Sequence, residues 1–89
     1  MKTIWREPIA LTEKQTITAP GLRRILSISS ERGTLEAWFE VDTDAPERSL
    51  EIQVVGTGHP VPDEATYIGT DIPAGGVFVW HFYSVEVSS

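Results

Sequence analysis

The stretch Thr34-Leu35-Glu36-Ala37-Trp38-Phe39-Glu40-Val41-Asp42 decides the fold class of this chain. Apolar and polar side chains alternate at every second residue, which is the periodicity of a β-strand. One face carries the apolar set Leu35, Ala37, Phe39 and Val41; the other carries Glu36, Trp38, Glu40 and Asp42. The stretch therefore predicts a strand with one buried face.

The segments on either side repeat this alternation. Residues 49–55 follow a polar loop over 43–48 and place Leu50, Ile52 and Val54 on one face. Residues 22–30 form the strand that precedes residues 34–42, and a turn over 31–34 joins the two. Further upstream, Pro20-Gly21 is typical of the central positions of a type II turn, which connects residues 15–18 to the strand at 22–30.

The remaining segments complete an all-β prediction. Residues 2–11 indicate a strand interrupted at Pro8, which suits a sheet edge, and residues 66–70 indicate a short strand. Residues 77–87 are apolar on both faces for most of their length, so we expect them to be covered on both sides, at the sheet centre or against the N-terminal strand. The chain of 89 residues is predicted to be one domain, 1–89, folded as a small antiparallel β-sandwich or partly open β-barrel of about seven strands.

Composition excludes several classes of function. The absence of cysteine removes disulfides, thiolate zinc sites and cysteine nucleophiles. A net charge of −6 argues against direct binding of nucleic acid, which requires a basic surface. Because no apolar run approaches the roughly 20 residues that span a bilayer and residues 1–8 lack the apolar region of a signal peptide, we expect a cytoplasmic protein without membrane contact.

The loop Gly56-Thr57-Gly58-His59-Pro60-Val61-Pro62 contains more glycine, proline and polar residues than a hairpin connection requires. Its glycines can direct backbone N–H groups to one point, where Thr57 and His59 add polar side chains for an anion. It matches neither the Walker pattern nor the dinucleotide fingerprint. The loop is therefore either a ligand site formed by Gly56, Thr57, Gly58 and His59 or a connection that needs glycine and proline for its shape.

Catalytic and metal chemistry have little support. His59 and His81 are the two histidines of the chain, and their spacing to the nearby carboxylates does not indicate a metal site. No serine lies in a Gly-X-Ser-X-Gly turn. We therefore expect no catalytic residue, no metal and no cofactor.

Trp38 and Arg24 are the other candidate binding residues. Alternation places Trp38 among carboxylates on the polar face of its strand, where it is either an interface anchor or is covered by a second layer. Arg23 and Arg24 are predicted to point to opposite faces, one to the acidic sheet and the other to a phosphate, with a surface salt bridge as the simpler alternative. The acidic set Glu36, Glu40, Asp42 and Glu51 is typical of a solvated sheet face; mimicry of nucleic acid is the alternative.

These segments together resemble a group of short uncharacterised proteins encoded by bacteriophages and prophages. The resemblance covers nearly the whole chain but brings no assigned chemistry, so it implies phage or mobile-element origin and no activity. The matching segments are Lys2-Thr3-Ile4-Trp5, Gln15-Thr16-Ile17, Pro20 to Ser27, Ala37-Trp38, Gly56-Thr57-Gly58-His59-Pro60, Tyr67-Ile68-Gly69-Thr70 and a glycine pair before Val79-Trp80-His81.

Size, acidity and this resemblance favour a non-enzymatic, phage-encoded binding protein in the host cytoplasm. We expect it to antagonise a bacterial defence system, by occluding a host protein or by sequestering a small anionic ligand. Self-association through sheet edges or the Trp38 face is also expected. Two alternatives remain open, a virion or phage assembly protein and a nucleotide-binding enzyme.

Overall fold

A computed structural model describes residues 1–73 and 76–87, which form two antiparallel β-sheets. One sheet has three strands in the order β1-β4-β3; the other has four in the order β2-β5-β7-β6. The two sheets do not close into a barrel, and the all-β prediction is confirmed. The strands are β1 (Lys2–Pro8), β2 (Lys14–Pro20), β3 (Arg24–Ser29), β4 (Glu36–Asp42), β5 (Glu47–Gly56), β6 (Thr66–Asp71) and β7 (Trp80–Glu86).

The three-stranded sheet is centred on β4, the strand that the alternating stretch predicted. Ala37, Phe39 and Val41 are buried, as expected for the inward face. β1 pairs with one edge of β4, with Trp5 opposite Phe39, and β3 pairs with the other edge, with Ile25 also opposite Phe39. This strand therefore supplies the centre of one sheet and much of the core.

The four-stranded sheet places β7 between β5 and β6, which confirms the prediction of a central position for the last strand. Phe82 of β7 lies opposite Val54 and is fully buried, while Ile17 of β2 lies opposite Leu50. Within the described residues, no helix is long and apolar enough to cross a membrane. The core thus lies between the inward faces of two sheets.

The Pro20-Gly21 turn also forms as predicted. The Leu22 N–H donates to the Ala19 carbonyl at 3.3 Å, and Gly21 at the third position of the turn has a φ of 52°. A positive φ at that position favours glycine, as in a type II turn. The turn connects β2 of one sheet to β3 of the other.

The start of the last strand differs from the prediction. β7 begins at Trp80, and Val77 and Phe78 are 81% and 65% exposed, so the expectation that they are covered on both sides is wrong. The reason is pairing length, because both neighbours of β7 end opposite Trp80, β5 at Gly56 and β6 at Asp71. The predicted connection over 71–76 includes residues 74 and 75, which lie outside the described residues.

Candidate functional site

The loop after β5 directs two of its predicted site residues to opposite sides of the four-stranded sheet. Gly56 lies opposite Trp80, on the inward side that also carries Phe82. The His59 N–H donates to the Gly56 carbonyl at 3.0 Å, and the His59 ring folds over Gly56. Thr57 instead contacts His81 on the outward side, with Oγ1 2.8 Å from Nε2. The side chains of Thr57 and His59 therefore do not share one site.

His59 forms one wall of a groove of about 580 Å³ at this end of the sandwich. Ligand pockets commonly occupy roughly 300–1,000 Å³ and are mostly apolar. We call this feature the Trp80 groove. It is lined by Leu11, Thr12, Glu13, Gln53, Val54, Val55, His59, Pro60, Pro62 and Trp80.

The absence of a side chain at Gly56 makes room for two of the rings that line the Trp80 groove. A Cβ atom at this position would lie 3.2 Å from His59 Nδ1 and 3.3 Å from Trp80 Cζ3. Both distances are shorter than ordinary van der Waals contact, so each ring can pack this close to the main chain only because glycine leaves the space free. Gly58 then supplies the positive φ, 90°, that turns the chain back so that the histidine covers Gly56.

The opposite wall of the groove is the segment before β2. The Val54 N–H donates to the Glu13 carbonyl at 3.1 Å, which fixes this segment against β5. Among the side chains that line the groove, His59 is the one able to carry a positive charge, and Glu13 can carry a negative charge. Rings and apolar side chains make up most of the surface, so the groove suits a flat apolar group with a polar edge better than a highly charged anion.

On the outward side of the same sheet, His81 belongs to a row of hydroxyl groups. Its Nε2 contacts Thr57, and its Nδ1 lies 2.9 Å from Thr70 Oγ1, which in turn lies 2.6 Å from the Tyr67 hydroxyl. Tyr67 also meets Tyr83 edge to face, with ring centroids 5.5 Å apart. Hydroxyl groups orient the imidazole but do not supply the negative charge that a catalytic aspartate gives to a histidine.

The two histidines lie on opposite sides of the sheet. Within residues 1–73 and 76–87, no three histidine or carboxylate side chains converge in a way that would hold a metal ion.

Trp38 lies half-buried on the outward face of the three-stranded sheet, opposite Arg6 of β1. Its neighbour Glu36 is only 6% exposed and lies between two guanidinium groups, 3.1 Å from Arg6 Nε and 3.3 Å from Arg32 Nε. The expectation that Glu36 belongs to a solvated acidic face is therefore wrong. Two arginines cover this carboxylate and neutralise it, because a buried charge requires a partner.

Arg23 and Arg24 do not point to opposite faces, and that prediction is also wrong. Both approach Glu40, Arg23 Nε at 3.3 Å and Arg24 Nη2 at 3.6 Å. The alternation rule fails because β3 begins at Arg24, so Arg23 lies outside the strand. Arg24 thus forms the surface salt bridge that was the simpler alternative from the sequence. Trp38 is surrounded by clusters of arginine and glutamate, rather than by carboxylates alone.

The end of β4 carries the clearest electrostatic perturbation. The Asp44 backbone N–H donates to Asp42 Oδ1 at 3.1 Å, and the N-terminal ammonium of Met1 lies 3.2 Å from the same atom. The amide first, and the ammonium second, hold the pKa of Asp42 below its usual value. The hydrogen bond to the Asp44 side chain first, and the one to the Asp42 side chain second, raise the pKa of the Met1 ammonium.

Of the six predicted binding residues, His59 is the one that lines the Trp80 groove, and Gly56 lies against its ring. Gly58, Thr57, Trp38 and Arg24 do not line the groove. Trp80 and the opposite wall, Leu11 to Glu13, were missed as site residues. No sequence signal marks them, because the pairing of Gly56 with Trp80 depends on strand register.

Comparison with known proteins identifies the family to which the chain belongs. No curated protein and no solved structure matches the chain. The family model described as Domain of unknown function (DUF7352) matches residues 1–89. Since that match spans every residue, the chain belongs to the DUF7352 family.

Proposed function

We propose that this protein is a non-enzymatic binding protein that captures a small ligand in the Trp80 groove. The ligand class is a flat heteroaromatic ring, such as a nucleobase, that stacks on Trp80 and bonds through its polar edge to His59. The observation that carries this proposal is that the His59 and Trp80 rings both pack against Gly56 and both line an apolar groove of ligand size.

The chemistry of the wall supports this ligand class. Base–aromatic stacking contributes about 1–3 kcal/mol per base. The pyrrolidine rings of Pro60 and Pro62 are stiff, so a ligand between them and Trp80 meets a surface that loses little conformational entropy on binding. His59 is exposed and offers a ring nitrogen as donor or acceptor.

The resemblance to phage-encoded proteins supports a biological setting for the same proposal. Capture of a signal molecule by its nucleobase would withhold that molecule from a bacterial defence system in the host cell. A protein that acts by sequestration needs no catalytic group, which agrees with the expectation from the sequence. Co-expression with such a defence system should then restore phage plaque formation only when the groove is intact.

A thermal-shift screen with nucleosides and nucleotides tests the binding step. A ligand present at about 100 times its Kd adds roughly 2.7 kcal/mol to the free energy of unfolding, which gives a clear shift in Tm. Trp80 in the groove wall also predicts a change of tryptophan fluorescence. If no ligand of this class shifts Tm, the proposal is wrong and occlusion of a host protein becomes the better candidate.

Two variants on one loop make the test specific. His59→Ala removes the side chain that faces the groove, and we expect at least a tenfold loss of affinity. Thr57→Ala is the matched control, because that hydroxyl faces His81 on the other side of the sheet. Equal affinity of both variants and the wild type would exclude the Trp80 groove as the site. Turnover of a ligand would favour a nucleotide-binding enzyme, and co-purification with particles would favour a virion protein.

A further inference from the structure

One edge of the three-stranded sheet, formed by β1, has no part in the Trp80 groove. β1 pairs with β4 on one side and is the edge strand on the other. Ile4 on its outward face is 58% exposed, and Trp5 is 41% exposed although it lies opposite the buried Phe39. A long, apolar open edge is a template for pairing with another strand.

The hydrogen bonds of β1 show which backbone groups are free. The Thr43 N–H donates to the Met1 carbonyl, and the Ile9 N–H donates to the Leu35 carbonyl. In an antiparallel ladder the N–H and C=O groups of successive residues point alternately to the two sides of the strand. Since Met1 and Ile9 bond to the β4 side, the odd-numbered residues of β1 bond to β4. The N–H and C=O groups of Lys2, Ile4 and Arg6 therefore point to the open edge.

The proline of β1 fits this arrangement. Pro8 is even-numbered, so the N–H group that it lacks is one that would have pointed to the open edge. Lys2 and Pro8, which protect an edge from pairing, lie at the two ends of the strand. Between them lie the exposed apolar residues Ile4 and Trp5, followed by one positive and one negative charge, Arg6 and Glu7.

We propose that β1 pairs with β1 of a second copy of this chain and joins the two three-stranded sheets into one sheet of six strands. In an antiparallel pair, residues opposite each other share a face, and the pairing centred on Trp5 uses the whole strand. This register places Ile4 opposite the partner copy's Arg6, Lys2 opposite Pro8, Thr3 opposite Glu7, and the two copies of Trp5 opposite each other.

The register agrees with the hydrogen-bonding pattern. Ile4 and Arg6 become a hydrogen-bonded pair, and Lys2 donates to the Pro8 carbonyl, which needs no N–H from proline. Trp5 falls at a non-hydrogen-bonded position, where Cα atoms are about 4.5 Å apart and side chains are closest. The pair of tryptophans would cover surface that is exposed in one chain, and no like charges stand opposite each other.

β1 contributes no residue to the Trp80 groove, so the dimer and ligand binding can be tested separately. Native mass spectrometry and sedimentation equilibrium at micromolar to millimolar concentration test it directly. The expected species has twice the 9.9 kDa mass of the chain. A species of 9.9 kDa throughout that range would overturn the proposal.

Cysteine variants test the register, because the chain has no native cysteine. An equimolar mixture of Thr3→Cys and Glu7→Cys should form a disulfide-linked dimer on mild oxidation, since opposite non-hydrogen-bonded positions lie within the 4.4–6.8 Å Cα separation that a disulfide allows. Thr3→Cys alone should not, because its copies are four residues apart along the pair. Both variants keep Trp5. Equal cross-linking of the mixture and of Thr3→Cys alone would overturn the register.

A charge variant tests the central contact. Trp5→Lys places like charges opposite each other and should convert the dimer to monomer. Ile72→Lys is the matched control at an apolar residue of similar exposure, 53%, outside β1. Circular dichroism of each variant shows whether the fold is retained. A folded Trp5→Lys protein that remains dimeric would contradict the proposal.

Discussion

Replacement of Gly21 by alanine should destabilise the fold more than any other single methyl addition at a described glycine with positive φ. Gly21 has a φ of 52°, which costs an L-residue about 1–2 kcal/mol. An added Cβ would also lie 2.7 Å from the Asp42 carbonyl oxygen, 2.8 Å from Asp42 Cβ and 2.9 Å from Ala45 Cβ. These are atoms of the main chain and of its first side-chain carbon, so no flexible side chain can move away.

The free-energy cost of the close contacts adds to the cost of the positive φ. Forcing an extra carbon into a packed site costs typically about 1–3 kcal/mol. The shift would also strain the 2.8 Å hydrogen bond from the Gly21 N–H to the Pro46 carbonyl. We therefore expect Gly21→Ala to lower the free energy of unfolding by about 3 kcal/mol, which corresponds to a fall in Tm of about 12–24 °C for a domain of this size.

Gly33→Ala separates the two contributions. Gly33 has a φ of 91°, but nothing lies within 4 Å of its Cβ position, so this variant pays only the conformational cost. Urea unfolding of both variants gives the two free energies, and their difference measures the contact with Asp42 and Ala45. If Gly21→Ala costs no more than Gly33→Ala, then the turn does not pack against the end of β4 as described and the reasoning fails.

Three further predictions follow from burial and charge. Phe82→Ala should lower the free energy of unfolding by about 3–5 kcal/mol, measured by urea unfolding, because a fully buried ring is lost from the core; a cost below about 1 kcal/mol would contradict its central position. Glu36→Gln should cost about 1–3 kcal/mol, since two arginines lose a buried carboxylate, and the loss should be smaller at high salt; a neutral effect would show that hydration of the arginines compensates. The NMR signal of the Asp42 carboxyl carbon should report a pKa below the usual value in a pH series, and the stability that this contact provides should be lost as the pH falls through that lowered pKa; Asp44→Ala should reduce the upward shift of the Met1 ammonium pKa, to which Asp42 also contributes, while leaving the amide contribution to Asp42 in place.

Much of the fold could be predicted from local pattern. The inward set of β4, the glycine turn at Gly21 and the central place of β7 all follow from properties of consecutive residues: alternation, backbone conformation and apolar faces on both sides. The errors arose where a strand ended. Val77 and Phe78 continue the apolar pattern of β7 but lie beyond its partners, and Arg23 precedes the strand that would have set its direction.

The candidate site shows the same division. The sequence marked the loop after β5 by its glycines and His59, because such residues are unnecessary in a simple turn. It did not show that Thr57 and His59 face opposite sides of the sheet. Nor did it show that Trp80 completes the groove, since that contact joins residues far apart in the chain.

By itself the sequence determined the approximate place of each strand, the apolar face that most strands bury and the turn at Gly21, because periodicity and backbone preference are local properties. Only the tertiary structure decided the pairing of β5 with β7, the burial of Glu36 between two arginines and the open edge of β1. Those features depend on register and on the order of strands within a sheet. Hydrogen-bonding groups are identical along every strand, so packing of the two sheets selects among the pairings that the local pattern allows.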